Sequence, residues 1–312
     1  VIISSIAFAP LLLDSSNIGF ILLALFVAIP AWLVGFSTPV FAWWSYSSSR
    51  FHLTTTRQQG EAMLIAGMLS TFPAIVINSF ITPGAVLLLT GGQASATLVE
   101  NITVIVSAPV GEELCKALAV FSLAGLIDSK KRGFQVGFTV GLGFALLENL
   151  QYILFSLFAG EVMAFSYGLT TVVRGIGSIP GHAMWTACSG YAIGHILEQR
   201  KQPHRIPDVE QWNLVNPLNP SASRFEPSLT SHPSFFSKSS NLQLPTSLPV
   251  MLGIAMFGHA FWNGSSVLMS YMSGNLDPVV GLIAELTWIV VLIALLWTFG
   301  RFVLAAAMED DV

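Results

Sequence analysis

The sequence predicts an all-α fold: a polytopic transmembrane helical bundle of about seven or eight membrane helices, with one re-entrant or interfacial segment. Three observations predict it. Charged residues make up 10% of the 312 positions, against roughly 25% in a soluble domain, so too few polar side chains exist to coat a globule in water. Hydrophobic residues reach 53%, gathered into runs long enough to cross about 30 Å of hydrocarbon. A backbone in hydrocarbon must bond to itself, which selects helices over strands. The same composition excludes a soluble enzyme, a disordered chain and a nucleic-acid binder, since 13 Lys and Arg against 17 Asp and Glu leave no basic surface. Cys115 and Cys188 lie far apart in apolar stretches and define no disulfide framework.

The spans follow in order. Residues 1–13 are apolar without the basic start of a signal peptide, and are expected as the tail of a truncated helix. Apolar runs then occupy 17–45, 61–82, 101–127, 134–158, 180–197, 248–271 and 278–302. Basic residues gather at Arg50 and Arg57, at Lys130, Lys131 and Arg132, at Arg200, Lys201 and Arg205, and at Arg301. The alternate loops carry Asp14, Glu100, Glu161 and Asp277. This alternation predicts seven crossings with a cytoplasmic C-terminus, provided that 162–180 does not cross and is instead re-entrant or interfacial. The polar, Pro- and Ser-rich stretch 199–245 reads as a flexible cytoplasmic linker. The chain therefore divides into N-terminal membrane helices (1–100), a transmembrane core (101–198 and 246–305) in which a site is to be sought, and that linker.

A few polar residues stand where the membrane makes them costly. Glu112, Glu113 and Lys116 sit near the middle of the third run, Glu148 and Asn149 near the middle of the fourth. His259 and Asn263 sit near the middle of the sixth, and His182 lies a turn into the fifth, after Arg174. A charge at the bilayer centre costs about 2.5–3.5 kcal/mol, so four helices carrying such groups point to one buried site. Glu112 and Lys116 are four apart on one face, and Glu113 is turned by about 100° to meet another partner. His259 and Asn263 are also four apart, so the amide is expected to orient the imidazole. Small residues such as Gly137, Gly141, Gly190 and Gly194 would let these helices approach closely. His195 and Glu285 are assigned structural roles.

This equipment suits hydrolysis. A carboxylate in a low-dielectric pocket makes a competent general base near neutral pH, and histidines can stabilise an oxyanion or hold a metal. No His-Glu-x-x-His occurs, and no aspartate lies well inside a run, which excludes a zincin helix and an aspartate pair. Ala187-Cys-Ser189-Gly190 comes within one residue of a Gly-x-Ser-Gly nucleophile motif but leaves the buried glutamates unexplained.

Four motifs, in this order and spacing, resemble the PrsW family of intramembrane proteases, within the wider group of CAAX prenyl proteases and bacteriocin-processing Abi proteins. They are Gly111-Glu112-Glu113-Leu-Cys-Lys116; Gly141-Leu-Gly-Phe-Ala-Leu-Leu-Glu148-Asn149-Leu-Gln-Tyr152; Arg174 with Pro180-Gly181-His182-Ala183; and Gly258-His259-Ala-Phe-Trp-Asn263. The resemblance runs from about residue 101 to 273. It implies proteolysis of membrane-anchored protein substrates in or near the bilayer, with Glu112, Glu113, Glu148, His182 and His259 catalytic and Lys116, Asn149, Arg174 and Asn263 supporting. Ala117, where the wider group often has Arg, and Ser178, where it has Phe, favour the PrsW branch over prenylated substrates. The expected reaction has Glu112 or Glu113 activating water, Lys116 holding the partner carboxylate ionised, and the histidines stabilising the oxyanion. A competing version holds a divalent metal such as zinc on some of Glu148, His182 and His259. The alternative outside hydrolysis is a proton-coupled transporter with a buried Glu/His relay.

Overall fold

Every described element is a helix, and the described residues contain no strand. They come from a computed structural model that describes residues 32–51, 53–157, 163–201 and 243–309. The expected truncated first helix, the start of the 17–45 run and most of the 199–245 linker lie outside them. The helices are α1 (Thr38–Phe51), α2 (Arg57–Val76), α3 (Thr82–Leu89), α4 (Ala96–Ile102), α5 (Ala108–Ser122), α6 (Lys130–Leu157), α7 (Met163–Val173), α8 (Ile179–Lys201), α9 (Leu248–Ser273) and α10 (Pro278–Glu309). Local chemistry sets several starts. Thr56 and Gln59 form a reciprocal capping box ahead of α2, and the Ser95 hydroxyl accepts from the Leu98 N–H ahead of α4.

Several of these helices are joined end to end by π turns, at Ile77–Ile81 between α2 and α3, Thr103–Ser107 between α4 and α5, and Arg174–Ser178 between α7 and α8. A further π turn, Leu33–Ser37, leads into α1. Each ends two residues before a proline: Pro39, Pro83, Pro109 and Pro180. A proline inside an α-helix lacks its N–H and collides with the carbonyl four residues back. Bonding five residues apart shifts that carbonyl and lets the helix run on. Thr82 thus donates to the Ile77 carbonyl, Ala108 to Thr103 and Ile179 to Arg174.

This register leaves carbonyls without backbone donors, and side chains from neighbouring helices supply them. Gly175 loses its α partner Ile179 to Arg174, and its π partner would be Pro180; the Trp43 indole donates to it at 3.4 Å. Ile176 would pair with Pro180 itself, and the Trp297 indole donates at 2.7 Å. Val104 is orphaned by Pro109 in the same way, and the Asn263 amide donates to it at 3.0 Å. Inside lipid such a group left unpaired is costly.

The stretch 162–180, expected to be re-entrant or interfacial, does not fold as a loop. From Met163 it is helical throughout and continues without a turn-back into α8. Likewise the second run does not stop at Thr82 but continues to Leu89. In both, the π turn absorbs the proline at the run's boundary.

α6 is the central helix. Its face at Gly133, Gly137 and Gly141 lies directly against the backbone of α8, and a Cβ on Gly141 would overlap the His182 carbonyl oxygen. On the other side Gly143 meets the Leu64 backbone of α2. Such contact without side chains is how helices pack when lipid removes the hydrophobic drive between them. Among the described residues, three helices are long and apolar enough to cross a membrane: Arg57–Leu89, Lys130–Ile153 and Pro278–Met308. Outward-facing apolar side chains match that environment, since Phe80, Leu88, Leu118 and Phe257 are each more than two-thirds exposed.

Candidate active site

The acidic pair is set by α5. Past its proline the helix turns one face inward, and Glu112, Glu113 and Lys116 are all buried. Lys116 Nζ lies 2.7 Å from Glu113 Oε1 and 3.6 Å from Glu112 Oε2. The nearer pair is three residues apart, not the four expected from spacing. Glu113 Oε1 also accepts from His259 Nδ1 of α9 at 3.1 Å.

α6 supplies Glu148 and Asn149, and Arg174 of the third inter-helix π turn binds both. Its Nη2 stands 2.5 Å from Glu148 Oε2, its Nε donates to Asn149 Oδ1, and its guanidinium lies 3.5 Å over the Tyr152 ring. A two-point clamp of this kind neutralises a buried carboxylate and fixes its plane. Glu148 Oε2 also accepts from His182 Nε2 at 3.0 Å. The opposite nitrogen, His182 Nδ1, lies 2.7 Å from Lys116 Nζ. An ammonium only donates, so Nδ1 accepts and the ring proton sits on Nε2 towards Glu148.

Aromatic rings wall the cluster. Trp185 stacks on His259 at 4.8 Å, His182 meets His259 edge-on at 5.0 Å, and Phe144 flanks His182. On one side opens a cavity of about 250 Å³, with Glu112 and Glu148 in its wall together with Asn78, Thr103, Gln151, Tyr152 and Asn263. Glu112 Oε2 is buried with no hydrogen-bond partner, 3.9 Å from His259 Nε2. With Nδ1 donating to Glu113, His259 Nε2 is left as an acceptor at that distance.

One expectation is corrected. The Asn263 amide serves the Val104 carbonyl and leaves His259 to be held by Glu113 and Trp185. Two of the three candidate metal ligands, His182 and His259, come together with Glu112. The donor atoms that converge, within 4.8 Å of one another, belong to Glu112, His182 and His259. Glu148, the third candidate, is occupied by the Arg174 clamp and His182 Nε2. Glu285, assigned a structural role, pairs with the Ser273 hydroxyl.

The residues fit a divalent metal chemically. Each imidazole has one nitrogen on a carboxylate, Glu113 for His259 and Glu148 for His182, which is the outer arrangement that orients metal-binding histidines. Their remaining nitrogens and the orphaned Glu112 Oε2 form a nitrogen- and oxygen-donor set suited to zinc.

Asn78 was not anticipated. It sits in the π turn between α2 and α3, and its Nδ2 donates to Glu112 Oε1 at 3.2 Å. Its Oδ1 accepts from Ser107 Oγ at 3.4 Å, and Ser107 in turn pairs with Thr82. The signal was present, since an amide within the apolar 61–82 run meets the same criterion that singled out the glutamates. By holding Oε1, Asn78 leaves Oε2 as the free oxygen. Asn78→Leu is expected to lower kcat about 10- to 100-fold with KM little changed, the worth of one hydrogen bond to a charged group. Asn78→Gln should restore part of it; a leucine variant with full kcat would remove Asn78 from the site.

Acid–base groups at the centre of lipid-facing helices define the class: an enzyme that works within the membrane. A family model described as PrsW family intramembrane metalloprotease matches residues 59–216, just over half of the 312, and the chain belongs to that family. It is accordingly an intramembrane protease and an integral membrane protein. The match begins well before residue 101 and takes in Asn78, whereas the His259 motif lies beyond its end. Comparison with curated proteins finds no match, and comparison with solved structures finds none.

Proposed function

We propose that the protein hydrolyses peptide bonds of membrane-anchored proteins with Glu112 as general base and His259 and His182 as assisting groups. The observation that carries this reading is the Glu112 side chain in the wall of a cavity, its buried Oε2 without a hydrogen-bond partner and 3.9 Å from His259 Nε2. A water there would lose a proton to Glu112 as it attacks the substrate carbonyl. The carboxylate then returns that proton to the leaving amine. Glu113 holds His259 through Nδ1, and Glu148 with Arg174 holds His182, so both rings keep fixed orientations while charge develops on the carbonyl oxygen. Lys116 balances the paired carboxylates. Were a divalent metal bound, Glu112, His182 and His259 would be its ligands, and it would supply Lewis-acid polarisation and a more acidic water.

The same reading has seven crossings and a cytoplasmic C-terminus. Support comes from Arg50, Arg57, Lys130 and Arg200 clustering at one set of helix ends, with Glu100 and Asp277 at the other. Membership of a protease family gives no support to the transporter alternative.

Proteoliposomes carrying the full chain and a panel of single-span reporter proteins test the reaction. Glu112→Gln is expected to cut the cleavage rate at least ~100-fold, the usual worth of a general base, with the melting temperature held. Cleavage by that variant at the wild-type rate would end the proposal. Elemental analysis with chelator sensitivity then separates the glutamate reaction from the metal-assisted one.

A further inference from the structure

We infer that the ammonium of Lys116 is a tethered cation standing in the metal's seat, and that a metal binds only by displacing it. The inference rests on the donor set assigned to the protease site and not on the water-activating step. Of the two nitrogens of His182, Nε2 is held by Glu148 at 3.0 Å, so Nδ1 is the one left for a metal. That nitrogen already lies 2.7 Å from Lys116 Nζ. It has one lone pair, so an ammonium hydrogen and a metal ion cannot share it. A zinc–nitrogen bond is about 2.0–2.1 Å long, which would bring two cations almost into contact.

The other contacts of Nζ are those of a small bound cation. It meets Glu113 Oε1 at 2.7 Å and Glu112 Oε2, itself in the donor triad, at 3.6 Å. Its remaining side lies 3.9 Å over the Phe144 ring, a cation–π seat. Lysine is fully buried there, so no solvent competes for it. A departing ammonium has somewhere to go, because Glu113 Oε2 has no hydrogen-bond partner. Being attached to the chain, Lys116 competes at an effective concentration far above that of a free ion.

The test uses the purified full chain, stripped with chelator and titrated with zinc against a chromophoric chelator. Lys116→Met keeps the length of the side chain and removes the charge. One zinc is expected per chain, bound at least tenfold more tightly by Lys116→Met than by wild type. His182→Ala added to that variant should abolish the gain. Equal or weaker zinc affinity in Lys116→Met, or no zinc binding by either protein, overturns the inference. Because Lys116→Met strips Glu113 of its counter-ion, melting temperatures are followed as well. The variant should melt below wild type without zinc, and zinc should raise it by more than it raises wild type. A variant that melts low and gains nothing from zinc also overturns it. Loss of cleavage under every metal condition would count against the protease reaction alone and leave the binding result to stand.

Discussion

Gly141→Leu is expected to cost about 3 kcal/mol or more of stability and to remove nearly all activity. A side chain at 141 has no room, because its Cβ would overlap the carbonyl oxygen of His182 and the Cα of Ala183. Relief can come only by pushing α6 and α8 apart, an overpacking at or beyond the usual 1–3 kcal/mol. That separation acts on the site directly. The residue whose backbone is struck is His182, whose two nitrogens must stay within hydrogen-bonding reach of Glu148 and Lys116. A displacement of about 1 Å there is worth roughly 100-fold in rate. Gly253 on α9 is the control: it is exposed and a Cβ there meets nothing within 4 Å, so Gly253→Leu should be silent in both assays. Wild-type melting and cleavage in Gly141→Leu would show that the two helices are not in backbone contact.

Arg174→Met is expected to destabilise the fold by about 3–5 kcal/mol. The pair it breaks is largely buried, with side chains 11% and 14% exposed, and the loss leaves Glu148 charged without its guanidinium. Asn149, fully buried, loses the donor to its Oδ1 at the same time. Arg174→Lys should rescue little, because a single ammonium cannot clamp both partners. The double variant Arg174→Met/Glu148→Gln should recover part of the stability by removing the stranded charge. Thermal unfolding of wild type, the three variants and Glu148→Gln alone measures this. Additive losses in the double variant would mean that Arg174 and Glu148 act independently.

The sequence carried the chemistry of the site further than its geometry. Placement within apolar runs was enough to single out the three glutamates and His259 near mid-span and His182 a turn into its run, since each costs too much to bury without a reason. Helical period placed Lys116 on the face of Glu112, but its nearest carboxylate is Glu113, because side-chain torsions decide between neighbours that the period treats alike. The donor triad was not legible, since convergence depends on how far each helix slides past the others. That offset puts Glu112 beside the histidines and Arg174 beside Glu148. Asn263 was misassigned for a different reason. Its partner is a backbone carbonyl, invisible until Pro109 and the π turn before it are known to leave Val104 without a donor. Where the structure describes them, the apolar runs are helical, but the second continues past residue 82 and the fifth begins before residue 180.

Those π turns also act as phase shifters. Each fits one extra residue into a turn, so everything beyond it is rotated by about 100° relative to an uninterrupted helix. Glu112, Glu113 and Lys116 all lie beyond the turn at Thr103–Ser107, and His182 lies beyond the one at Arg174–Ser178. Were either turn to close into regular α form with no residue removed, the same side chains would swing round by about 100° and leave the cluster. The direction in which the acid–base groups point is thus stored in the spacing between each π turn and its proline.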